Sequence, residues 1–308
     1  MSPTRLRFVI GLGFMALLFA LGACAPLTVL NALAATGGHT READVAYDPL
    51  PRQQLDTYVP GGMAPTGRWP VVVFFYGGSW NSCERAQYGF NGAAMASRGI
   101  LTLVVDYRLY LEVRNPNFLA DSARALAWSL TNVADHEGDL RRAFVMGHSA
   151  GGYNAAMLAL DKRRLAAAGH TPHRLAGFIG LAGTNDFLLT TNRDAQPVFF
   201  HPNYPPDTQP MAFASTAAPR CFLAAGKTDG LVDPEKNTAA LAARLAAAGV
   251  PVSLHRCEQV NHVTLTGAFG LPLCWLAPVL DDVAGFVLTE QTLKPGERQA
   301  ELTSNSHR

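Results

Sequence analysis

Gly147-His148-Ser149-Ala150-Gly151 is the segment of this sequence best suited to chemistry. A serine hydroxyl becomes a useful nucleophile when a sharp turn exposes it and a base takes its proton. The G-x-S-x-G spacing provides that turn, because glycines on either side avoid a clash where the chain reverses from strand to helix. Alone, the pattern is weak. Its context strengthens it: Ala143–Met146 reads as a buried strand running in, and the alanine-rich run Ala150–Leu160 reads as a helix running out. A helix N-terminus at that point aims backbone N–H groups at developing negative charge. Ser149 as a merely structural turn residue ignores this placement.

A nucleophilic serine needs a base, and the base needs an orienting acid. Two aspartates follow the apolar run Cys221–Ala225. Asp233 precedes Pro234 and a helical stretch, so N-capping accounts for it. Asp229, in the loop between Gly226 and that cap, is the favoured acid. His262 follows Gln259-Val260-Asn261, in the loop after the last strand, and is the favoured base. His255 lies inside the strand and His201 in a proline-rich segment. The resulting chain order is Ser, Asp, His.

Upstream, the first central strand ends in Tyr76-Gly77-Gly78-Ser79-Trp80. Paired glycines let backbone N–H groups approach a tetrahedral intermediate closely. The segment is similar to the His-Gly-Gly-x-Trp loop of many esterases. With the elbow, it makes the chain resemble the α/β-hydrolase superfamily, near the hormone-sensitive-lipase-like and feruloyl-esterase-like carboxylesterases, over residues 45–290. The resemblance implies an oxyanion hole from Gly77, Gly78 and Ala150, and candidate substrate-binding roles for Trp80 and His148. It departs from the pattern at Tyr76, where relatives carry histidine. Gly226-Lys-Thr-Asp229-Gly-Leu-Val232 also fits a Gly-x-x-Asp-x-x-Val pattern of those relatives. Asp106-Tyr107-Arg108-Leu109 has a counterpart too, and Asp106 and Arg108 read as an ion pair or loop brace.

These residues need a scaffold, and the hydropathy pattern supplies one. Strands are expected at Asp44–Tyr47, Gln54–Tyr58, Val71–Tyr76, Leu101–Val105, Ala143–Met146, Leu175–Leu181, Cys221–Ala225 and Val252–Arg256. Helices are expected at Glu84–Arg98, Phe118–Ala134, Ala150–Leu160, Pro234–Ala248 and Pro272–Leu288. In the helix at 118–134, Leu119, Ala123, Leu126, Ala127 and Leu130 recur at helical spacing. After a leading hairpin, this alternation predicts an α/β-hydrolase fold with a mostly parallel central sheet and helices on both faces. Residues 186–217 break the rhythm and are a lid-like insertion. Their aromatic residues Phe187, Phe199, Phe200 and Tyr204 read as pocket walls or, equally, as packing. The polar tail, 291–308, lies beyond the domain.

The chain has 308 residues, is 48% hydrophobic and carries a formal net charge of +1. It has no basic stripe, so nucleic-acid binding is set aside. At the N-terminus, Arg5 and Arg7 precede an apolar run from Phe8 to about Ala23. This is the layout of a secretory signal over residues 1–23. Leu21-Gly22-Ala23-Cys24 resembles the lipobox of bacterial lipoproteins, in which the cysteine is lipidated. An ordinary signal peptide or an uncleaved anchor is the alternative. The resemblance implies an exported, membrane-anchored enzyme with residues 24–44 as a tether. Cys83, Cys221, Cys257 and Cys274 then face an oxidising compartment and can pair in three ways, or stay free. They lack zinc-site spacing, and no metal or other cofactor is expected. The expected partner is a small-molecule ester. An amidase, aryl-formamidase-like or peptidase activity on the same scaffold, or a non-catalytic binding protein, are the other readings.

Overall fold

Val71-Val-Val-Phe-Phe75 has no polar alternation, so both its faces must be covered. The computed structural model describes residues 26–34, 38–64, 67–169 and 175–289, and it buries every residue of this strand, β3 (Trp69–Phe75). The eight strands are β1 (His39–Ala46), β2 (Gln54–Pro60), β3, β4 (Leu101–Val105), β5 (Gly138–His148), β6 (Leu175–Leu181), β7 (Cys221–Gly226) and β8 (Val252–Cys257). They form one sheet in the order β1-β2-β4-β3-β5-β6-β7-β8. The leading hairpin runs antiparallel, and from β4 to β8 every pairing is parallel. This is the α/β-hydrolase fold expected.

The helices are α1 (Pro26–Ala34), α2 (Gly89–Ala96), α3 (Asn117–Asn132), α4 (Ala150–Leu160), α5 (Lys162–Ala167), α6 (Ala195–Val198), α7 (Ala240–Ala247), α8 (His262–Gly267) and α9 (Val279–Leu288). Strand order reverses at β3: the chain steps outward to β4, then back past β3 to β5. Right-handed crossovers in opposite directions put helices on opposite faces of a sheet. The contacts agree. Asn31 of α1 accepts from the Phe90 N–H of α2 at 2.8 Å, and Arg98 just after α2 pairs with Asp281 of α9. On the other face, Asn154 of α4 donates to Ser122 of α3 at 3.2 Å. Such a reversal opens a crevice at the carboxyl ends of the strands. There Phe75 of β3 lies beside Gly147 of β5, so the glycine loop and the elbow emerge as neighbours.

Several boundaries differ from expectation for identifiable reasons. β5 begins at Gly138, because Asp139 pairs with Arg141 and Arg142 and lets a polar stretch stay extended. Arg85–Tyr88 form a 3₁₀ turn ahead of α2. α5 was not expected; Asp161 caps it by accepting from the Arg163 N–H. Of the expected helix at 272–288, only 279–288 is helical, and the residues before it make tight turns. The expected tether, 24–44, also needs correcting. α1 packs onto the domain through buried Leu30 and Asn31, and residues 39–44 belong to edge strand β1. The segments 1–23 and 291–308, and Cys24, lie outside the described residues. No helix among the described residues is long and apolar enough to cross a membrane.

The tightest packing is at the elbow. A Cβ on Gly151 would lie 2.1 Å from the Phe75 carbonyl oxygen, and one on Gly147 would lie 2.0 Å from the Gly151 oxygen. Backbone cannot yield locally to such overlap. Gly151→Ala is therefore expected to destabilise the fold by about 3 kcal/mol or more, read as a shift in urea midpoint at unchanged slope. A midpoint near wild type would show that the β3–α4 contact is looser than described.

Candidate active site

Ser149 follows β5 directly, with φ 55° and ψ −119°, a conformation disfavoured for any residue with a Cβ. Two contacts hold it: its N–H donates to the Leu181 carbonyl of β6 at 2.9 Å, and its own carbonyl accepts from Tyr153 one turn into α4. Strain of this kind persists only where the surroundings over-determine it. Here the turn projects Oγ out of the sheet and sets it at the N-terminus of α4.

His262 Nε2 lies 2.8 Å from Ser149 Oγ, and His262 Nδ1 lies 2.7 Å from Asp229 Oδ2. The three residues named from sequence thus form one hydrogen-bonded chain. In the neutral arrangement Nδ1–H donates to Asp229 and Ser149 O–H donates to Nε2. Asp229 follows β7, and its Oδ1 accepts the Leu231 and Val232 N–H groups, both at 2.9 Å. Burial works against its charged form. The His262 hydrogen bond and the two backbone donors outweigh burial and hold the carboxyl below its usual value. His262 is not in an open loop as expected. It is the first residue of α8, and Asn261 caps that helix by accepting from the Val263 and Thr264 N–H groups. Asp233 caps the next helical segment through the Glu235 and Lys236 N–H groups, the role its sequence context suggested.

The glycine loop lies against the elbow, where a Cβ on Gly77 would come 2.9 Å from the Ser149 Cβ. The Gly77 backbone engages the Tyr88 hydroxyl, and Gly77 does not line the cavity above Ser149. Ser79 and Ala150 do. Gly78 has φ 123°, and Ser79 and Trp80 both have positive φ, so the loop coils tightly over the elbow. Tyr76 takes the place of the histidine in the resembling loop. Its hydroxyl donates to Asp106 at 2.6 Å and accepts from Arg52 at 2.8 Å. Asp106 pairs with Arg85 and Arg108 pairs with Asp121, so both are loop braces but not each other's partner. Trp80 is almost fully buried. It donates to Asn154 at 3.1 Å, and its ring packs on Phe187 and Phe199. It is a wall of the cavity more than a ligand contact. His148 was expected to touch substrate, but it lies beneath His262, outside the cavity lining.

That cavity, about 300 Å³, opens above Ser149. The insertion contributes Phe187, Leu189, Asn192 and Ala195, and the segment after Asp229 contributes Leu231 and Lys236. Leu189 and Leu231 are exposed apolar lips. Lys236, Asp186 and Leu231 were missed from sequence, because nothing in their local pattern separates them from surface residues. Among the four aromatics singled out in the insertion, Phe187 lines the cavity and Phe199 is core. Phe200 lies under Arg114, and Tyr204 accompanies His201. His255 lies on β8 against Phe222 and Ser253, away from the site. The thiols of Cys83, Cys221, Cys257 and Cys274 are all free.

A family model, BD-FAE, matches residues 55–245. The chain belongs to the BD-FAE family. The match stops short of His262, so the placement of His262 beside Ser149 in this BD-FAE chain rests on geometry. Among curated proteins, it is 34% identical to a probable isoprenylcysteine alpha-carbonyl methylesterase of Oryza sativa over 118 residues, 38% of this chain and 27% of the relative. It is 25% identical to the esterase LipQ of Mycobacterium tuberculosis over 260 residues, 76% of this chain and 61% of that one. The chain spans about a third of the length of the plant methylesterases it matches. Among solved structures, a Pyrobaculum calidifontis esterase superposes with a TM-score of 0.68 at 20% identity, covering 85% of this chain and 89% of its own. Thermogutta terrifontis esterase 2 does so with a TM-score of 0.64 at 20% identity, over 84% and 96%. These structures share the fold.

The two aspartates separate cleanly by substitution. Asp229→Asn, which reverses the hydrogen bond that orients His262, is expected to lower ester turnover by about 10³-fold or more. Asp233→Asn should cost only a few tenths of a kcal/mol, since asparagine also caps. Esterase assays and urea titrations on both variants check the pair; the opposite pattern would assign the acid to Asp233.

Proposed function

We propose that this chain is a serine carboxylic ester hydrolase that works through an acyl-enzyme on small or short-acyl esters. The observation that carries the reading is the Ser149–His262–Asp229 chain at the base of a cavity. His262 Nε2 takes the Ser149 proton as Oγ bonds to the ester carbonyl carbon. The oxyanion forms beside the N-terminus of α4 and the coiled glycine loop, where backbone N–H groups offset its charge. Collapse breaks the bond to the alkoxy oxygen, which leaves with the proton from His262. Water then repeats the sequence and releases the acid. Asp229 holds the imidazole in register and stabilises the imidazolium between the two proton transfers. The esterase names of the relatives support this class of reaction.

Cavity size argues for a small substrate, since about 300 Å³ is at the low end for ligand sites. Its walls are mixed. Leu189, Leu231 and Phe187 offer apolar contact, while Ser79, Asn192 and Lys236 offer polar groups. Ser149→Ala is expected to abolish turnover of p-nitrophenyl acetate and butyrate, about 10⁴-fold or more, while leaving the fold intact. A fluorophosphonate probe should label wild type once, at Ser149. Across the acyl series, kcat/KM should peak at short chains and fall about tenfold by octanoate. Labelling elsewhere, or activity retained in Ser149→Ala, would remove the mechanism.

The proposal extends to location, with Cys24 as the lipidated N-terminus of an exported protein. Wild type should incorporate radiolabelled palmitate and fractionate with membranes, and Cys24→Ala should do neither. Equal labelling of both would show that the cysteine is not the anchor.

A further inference from the structure

His148 is fully enclosed, yet only one of its ring nitrogens has a partner. Nε2 lies 3.0 Å from the His262 carbonyl oxygen. A carbonyl only accepts, so Nε2 carries the proton and Nδ1 keeps a bare lone pair. Nδ1 is buried without a hydrogen-bond partner. It faces Gly77, where a Cβ would come within 3.1 Å of it. The two histidine rings lie 4.9 Å apart, centre to centre, at 44°. A buried, unpartnered ring nitrogen costs stability, and an apolar side chain of similar size would avoid the cost. What histidine adds at this position is one rigid N–H donor aimed at the backbone of the base.

We infer that His148 is a positioning residue, whose Nε2–H pins the His262 carbonyl and holds the base against the elbow. The inference rests on the reading of His262 as the base. His148 is the last residue of β5 and Ser149 follows it directly, so the donor and the nucleophile leave one rigid strand end together. The carbonyl and the imidazole of His262 share one residue at the start of α8. A single hydrogen bond therefore references the base directly to the nucleophile, in addition to the Ser149–His262 contact itself. Burial, followed by the proximity of His262, holds His148 far below its ordinary value, at about 3, so the ring stays neutral. Among the described residues, Asp229 is the carboxylate that favours its charge, weakly. A neutral ring does not oppose the imidazolium that forms at His262 during turnover.

His148 does not line the cavity, so its loss should move kcat and leave KM alone. His148→Phe keeps an aromatic ring and removes the donor; it is expected to lower kcat about ten- to hundredfold with KM within about twofold of wild type. His148→Gln restores an N–H donor and should recover most of that loss. A kcat in His148→Phe equal to wild type, a change confined to KM, or no recovery in His148→Gln would overturn the inference. The wild type alone supplies a second readout, independent of whether a variant folds. Histidine ¹⁵N NMR at neutral pH should show one neutral, Nε2-protonated ring that resists titration through the usual histidine range. An Nδ1-protonated or cationic His148 would overturn the inference as well. Failure of the fluorophosphonate to label wild type would instead remove the hydrolase reading and leave the tautomer result standing.

Discussion

Two backbones approach each other at the elbow more closely than any side chain would allow, and the placement of every other reactive group follows from that approach. Gly147 and Gly151 nearly touch, and Gly151 also abuts the end of β3. The strand end can then turn straight into α4 with Ser149 held at positive φ. The strain, of order 1–3 kcal/mol for such a residue, is borne by the pairing of β5 with β3 and β6 on its two sides. A central, fully buried strand is the most rigid support the fold offers. It ends in His148 and leads directly into Ser149.

The glycine loop is positioned by a different device. Tyr76 replaces the histidine that the resembling loops carry, and a polar network beneath the loop serves the bracing role. Its phenol is held by Asp106 and Arg52 between the rings of Tyr88 and Tyr107. Arg85 joins Asp106 to the buried carboxylate of Asp56. Buried charges are tolerable when each is paired and hydrogen-bonded, and removing one partner strands the other. This network therefore specifies one loop conformation. Its members come from β2, the segment after β3 and the segment after β4, so the antiparallel leading hairpin contributes to the geometry of the site.

Much of this was legible in the sequence, because the signals were local. The apolar runs of β3, β4 and β6 have one plausible fate, and Gly147 to Gly151 states the turn directly. Asp229 separated from Asp233 because Pro234 already explained the latter as a cap. Other features depend on tertiary contacts and left no such mark. His148 looked like the variable position of a motif until the fold placed the His262 carbonyl over it. The pairing of Asp106 with Arg85, and not with Arg108 two residues away, is set by how the 3₁₀ turn at Arg85–Tyr88 folds under the loop. α1 was hidden by its position beside an apolar run, and the contact of its Asn31 with α2 has no sequence signature. The cavity walls come from four separate segments, so no single window of sequence describes them.

The protonation states at the site tie the stability of the fold to acidity. Neutral His148 is held at about 3, well under the ordinary histidine value near 6.5, and charged Asp229 is held below its own ordinary value. Between those limits the unfolded chain binds protons that the folded chain refuses. Stability must then fall as pH drops, first through the histidine range and then through the carboxylate range, by up to about 1.4 kcal/mol per pH unit for each such group. Both groups touch His262. Acid therefore acts on the fold at the same few atoms that hold His262, so the contacts that align Ser149, His262 and Asp229 are the ones whose contribution to stability shrinks as pH falls.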